Sequence, residues 1–146
     1  MKIFKLEILD LVTLSAAKAD NGKVWAEAWK EAYFELDGKS LNNPKKTCPL
    51  NGTRTLYELG LLKCSSKPPV KFDEESVLSM SKNGWYCYLA LCELIENPEL
   101  SHIQLWNKVR NKVVAHFGTA PNNDEGSVKI TWELFKNKLI NLEHIN

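Results

Sequence analysis

Cys48-Pro49 is the first place to look for chemistry. The pair lies in KTCPLNGTRTLYELGLLK, residues 46–63. A thiol acts as a nucleophile or metal ligand only as the thiolate, which nearby positive charge or a helix N-terminus favours. Lys45, Lys46 and a helix following Pro49 would supply both. In the alternative reading, which is preferred, Cys48 packs inward and Pro49 fixes the path of the chain into that helix. Metal binding has no spacing to rest on. Cys48, Cys64, Cys87 and Cys92 form no CxxC pair, and His102, His116 and His144 form neither HxxxH nor HExxH. Cys87 and Cys92 fall in the apolar run WYCYLALCELI and read as small buried hydrophobes. Neither a metal nor a cofactor is expected.

Glu58 is the single acid among seven Lys/Arg in residues 38–71. A catalytic carboxylate needs a second titratable group, and none is recognisable beside it. A structural ion pair with Lys46 or Arg54 is expected instead. There is no Gly-rich phosphate loop and no GxSxG nucleophile elbow. The chain therefore reads as a non-enzyme. Residues 52–63 suggest a different role, because TRTLYELGLLK is like the recognition helix of a helix-turn-helix protein. Thr53, Arg54 and Tyr57 would then read bases, and Lys45, Lys46, Lys63 and Lys67 would hold phosphates. The net charge of +1 and the long loop ahead of the helix argue against this. Residues 72–105 carry six acids and one lysine, so charge is uneven along the chain. Such asymmetry makes either a steering patch or two solvated faces.

The aromatic load is five Trp, four Tyr and five Phe. Most should fill the core. Trp25 and Tyr33, on one face of one helix, are candidates for a partner-binding groove. The preferred function is a non-enzymatic helical module that binds a protein partner or itself, most simply as an isologous homodimer. DNA binding is the alternative.

These residues need elements to position them. With 146 residues, 44% apolar and 25% charged, the chain suits one soluble domain that needs no metal or disulfide. No apolar run is long enough to span a membrane. Glu7 and Asp10 interrupt the N-terminal apolar stretch and no cleavage site follows, so no secretory signal is expected and the cytoplasm is the expected compartment. Apolar periodicity predicts helices over residues 3–19, 24–36, 53–59, 73–81, 85–96, 101–114 and 127–142. Asp37-Gly38 and Gly60 are predicted helix stops, and Lys82-Asn83-Gly84 a turn. No strand alternation stands out. The fold class is all-α, a compact bundle of about six or seven helices. AEAWKEAYFEL and TLYELGLL are echoed by IQLWNKVRNKV and ITWELFKNKLI, with Trp29 matching Trp106 and Tyr57 matching Trp132. Two three-helix units, residues 1–64 and 73–146, would then pack back to back across a Pro-containing linker.

An ordered set of motifs runs through residues 24–140. Lys46, Cys48 and Pro49 are followed by Leu56, Glu58, Gly60, Leu61 and Leu62. Ser81-Lys82-Asn83 and Tyr86 come next, then Pro98, Leu100, Leu105-Trp106 and Val109, and last Trp132 with Leu139-Ile140. In this order the chain resembles a family of small bacterial domains with a Lys-x-Cys-Pro…Leu-x-Glu-x-Gly-Leu signature. Gly52-Thr53-Arg54 departs from that family's apolar preference, and Phe135-Lys136-Asn137-Lys138 from its glycine-containing helix end. The resemblance implies an all-helical fold, no established activity, and an origin among mobile gene cassettes.

Overall fold

The computed structural model describes residues 1–145. Its first element corrects the expected helix over residues 3–19. Strands β1 (Lys2–Ile3) and β2 (Leu6–Glu7) form an antiparallel hairpin, and helix α1 (Ile8–Asp20) begins only after it. Phe4 and Lys5 at the tip both have positive φ, 56° and 66°, the pattern of a type I′ turn. Such turns are usually announced by Asn-Gly. KIFKLE carries no such signal and its apolar spacing suits a helix.

Helix α2 (Trp25–Glu35) returns along α1. Lys18 and Lys23, on and just after α1, bridge to Glu35 and Glu31 at 2.8 and 2.7 Å. A short 3-10 turn, Asn43–Lys45, leads into α3 (Thr47–Glu58). α3 starts six residues earlier than expected. Pro49 lies in its first turn, where a missing N–H removes no intrahelical bond. The stop at Gly60 is as expected. Gly60 has φ +70°; its N–H donates to the Tyr57 carbonyl and that of Leu61 to the Leu56 carbonyl, a Schellman cap.

Residues 65–72 form no regular element. Asp73 and Ser76 make a capping box that opens α4 (Glu74–Met80). The turn expected at Lys82-Asn83-Gly84 is instead the first turn of α5 (Lys82–Glu96), because Ser81 accepts the Gly84 N–H and caps the helix. Ser101 and Gln104 box the start of α6 (His102–Phe117). α7 (Ser127–Lys136) ends earlier than the predicted residue 142. Lys138 turns the chain with φ 59°, and Ile140 pairs with Leu62 in an isolated bridge.

Among the described residues the result is a seven-helix bundle with one small hairpin. α5 is central and packs against α3, α4, α6 and α7, while α1 meets α7. α3 packs chiefly against α5 rather than α2. That arrangement corrects the picture of two self-contained three-helix units, because α3 belongs to the core of the second half. Buried residues from both halves, including Trp29, Leu56, Leu91, Leu105 and Leu134, form one cluster. Among the described residues, no helix is long and apolar enough to cross a membrane.

Candidate functional site

The hairpin tip stands between two clefts. Phe4 meets Tyr33 edge-on, with ring centroids 6.0 Å apart. The Lys46 ammonium lies 5.6 Å from the Phe4 centroid. One cleft, of about 700 Å³, is bounded by the hairpin, the first turns of α3 and α7, and the α6–α7 loop. The other, of about 560 Å³, lies between the hairpin, the end of α2 and the chain from Gly38 to Asn43. Phe4 and Lys46 line both, so the two clefts adjoin at this pair and form a grooved surface around it. Volumes of this order suit a ligand or a short peptide.

The α6–α7 loop is held in place by side chains of α6. Trp106 donates its indole N–H to the Asn122 carbonyl at 3.3 Å. Arg110 donates to the Pro121 and Ala120 carbonyls. Asp124 then accepts the N–H groups of Gly126, Val128 and Lys129 and caps α7. Burial pushes its carboxyl up, against the pull of those three donors. The loop thereby brings Glu125 to Cys48, whose thiol donates to the carboxylate at 3.0 Å. Ser127 donates its hydroxyl to the Cys48 carbonyl at 2.8 Å.

This arrangement protects the thiol rather than activating it. Burial first, then the Glu125 hydrogen bond and charge, push Cys48 up to about 12. The cation that opposes them is Lys82, not the expected Lys45 and Lys46, and it is outweighed. Among the described residues, no group of three or more His, Cys, Asp or Glu could hold a metal ion.

What the groove does carry is positive charge. Lys5, Lys39, Lys45, Lys46 and Lys129 line it, and none has an ion-pair partner among the described residues. The first turn of α3 has no side-chain cap, so its N-terminal end adds partial positive charge.

The other candidates fall elsewhere. Trp25 is a core residue, 4% exposed, and lines neither cleft; Tyr33, 1% exposed, is also buried but contributes to the wall of the second cleft. Thr53 and Tyr57 of α3 meet Trp25, and Phe4 of the hairpin meets Tyr33. Thr53 is also buried: it accepts the Trp25 indole N–H at 2.9 Å and donates to the Pro49 carbonyl at 2.7 Å. It cannot read a base. Tyr57 stacks on Trp25 at 5.0 Å and donates to Asp20. Lys67 sits 5.3 Å over the Tyr57 ring. Arg54 is half-buried on α3. Lys63 lines a separate hollow with Lys136 and Lys138. Glu58 is exposed and makes no ion pair among the described residues, contrary to the expected link to Lys46 or Arg54. It lies at the far end of α3 from Lys46. Trp29 is fully buried, and half-buried Trp132 donates to the Leu100 carbonyl at 2.8 Å.

Phe4, Lys5, Lys129 and Glu125 escaped sequence reasoning. Phe4 and Lys5 looked helical, and nothing local links Glu125 to a cysteine 77 residues away. No family model, curated protein or solved structure matches the chain.

Proposed function

We propose that this chain is a non-enzymatic interaction module that holds a protein partner in the groove beside Phe4. The observation that carries the reading is the meeting of two clefts at Phe4 and Lys46, with an aromatic ring between them and lysines around it that have no ion-pair partner among the described residues. Catalysis is disfavoured because the cleft thiol is pushed up and Asp124 is already engaged as a cap. DNA binding is the second reading. It is weakened because Lys63 and Lys67 lie apart from Lys45 and Lys46. All four cysteines are unpaired, which accords with the reducing cytoplasm.

An unbiased displayed peptide library, panned on the purified protein, tests the proposal. Phe4→Asn keeps a residue that accepts the left-handed turn while removing the ring. Selected peptides should lose about tenfold or more in affinity on Phe4→Asn and on Lys46→Glu, and be indifferent to Lys63→Glu. Binders insensitive to both groove variants would refute the groove. Duplex DNA binding that falls steeply with salt and disappears in Lys46→Glu would move DNA to first place.

A further inference from the structure

We infer that the occupant of the groove is an acidic segment of a partner protein, with its carboxylates toward the groove lysines and apolar side chains on Phe4. This rests on the reading of the groove as a docking surface. Charge complementarity carries the inference. Five lysines line the two clefts, against the acids Asp37, Asp124 and Glu125. Two of those acids already have internal work. Asp124 accepts the backbone N–H groups of Gly126, Val128 and Lys129 at the start of α7. Glu125 accepts the Cys48 thiol. The lysines have no such partners among the described residues. The first turn of α3, which has no side-chain cap, follows directly on Lys45 and Lys46 and adds partial positive charge.

A second copy of the chain is the less suitable anionic occupant. Its densest acidic stretch is Asp73-Glu74-Glu75. Asp73 there caps α4, and Glu74 accepts the Trp85 indole N–H at 3.0 Å. Duplex nucleic acid fits less well than a peptide, because its base faces stay stacked inside the helix, away from Phe4, while a peptide offers apolar side chains to the ring.

Three fluorescent peptides of one length test the inference by anisotropy. One alternates Glu with Phe, one replaces Glu by Gln, and one replaces Glu by Lys. The Glu peptide should bind, the Gln peptide about tenfold or more weaker, and the Lys peptide not at all. Binding of the Glu peptide should weaken from about 0.1 M to about 1 M NaCl, as the screening length shrinks from about 10 Å to about 3 Å. Lys46→Glu and Lys129→Glu should each weaken it, and Lys63→Glu should not. Equal binding of the Glu and Gln peptides overturns the acidic preference. If library-selected peptides still depend on Phe4, the groove itself survives that result. If they do not, both readings fall together. Duplex DNA that displaces the Glu peptide and binds more tightly overturns the inference in favour of nucleic acid. A groove-dependent dimer on light scattering, abolished by Lys46→Glu, overturns it in favour of a second copy.

Discussion

Cys48 keeps its proton. Its ordinary value is 9.0, and burial together with Glu125 moves it to about 12; full burial does the same for Cys87. Iodoacetamide should therefore label Cys48 far more slowly at pH 8 than the same cysteine in urea, as peptide mapping by mass spectrometry would show. Glu125→Gln removes a negative charge and should speed labelling, though burial, the larger cause, keeps the thiol protected. The same shifts set a stability trend. Below about pH 9 these thiols are neutral whether the chain is folded or not. Between about 9 and 12 the unfolded chain releases their protons and the folded one does not. Stability should fall as pH rises through that window, and urea midpoints should drop less in Cys87→Ala. At this scale the sequence was a partial guide. Cys48-Pro49 stood out; Pro49 does lie in the first turn of α3, but Cys48, expected to pack inward, is only half-buried and lines a cleft. Its acceptor lies on a loop that only the fold brings near, so no spacing rule could find it.

The contact between α3 and α5 depends on a glycine. A Cβ at Gly84 would overlap the hydroxyl and both carbons of the Thr55 side chain. Gly84→Ala should therefore push the two helices apart and cost about 1–3 kcal/mol, read as a lower urea midpoint. Thr55→Ala in the same chain should recover part of that loss by making room, a non-additive pair. Helix existence was legible wherever apolar spacing was regular, and the caps at Gly60 and Ser101 were legible from residue type alone. Boundaries were less so. Lys82-Asn83-Gly84 has turn composition, but the Ser81 cap and the close approach to Thr55 make it helical. The hairpin was invisible because Phe4 and Lys5 occupy turn positions that Asn and Gly normally mark. Without it, the center of the groove could not be found.

At the scale of the whole molecule, the buried residues form one core, and α5 ties four other helices together. Thermal unfolding should show a single transition, with calorimetric and van't Hoff enthalpies in agreement. A fragment of residues 1–64 should lack the stable helical circular dichroism of an independent unit, because its α3 has lost α5 and α7. Two separate transitions, or a folded fragment, would restore the picture of two repeated units. That picture came from a true likeness between amphipathic helices, but likeness of pattern does not say which helix a face will meet. The fold class was readable because helical periodicity is local; the pairing of α3 was not, because it is decided by shape across distant segments.

The same pairing has a consequence for synthesis. As the chain leaves the ribosome, α1 and α2 emerge together and are able to zip up at once. α3 follows, with Leu56 and Thr55 facing outward and only slight support from α2. Its true neighbour is completed only when residue 96 has been translated, and α7 only after residue 136. For that interval the growing polypeptide displays the Gly52, Thr55 and Leu56 face of α3 without its α5 cover, and this is the stage at which a holding chaperone has something to grip.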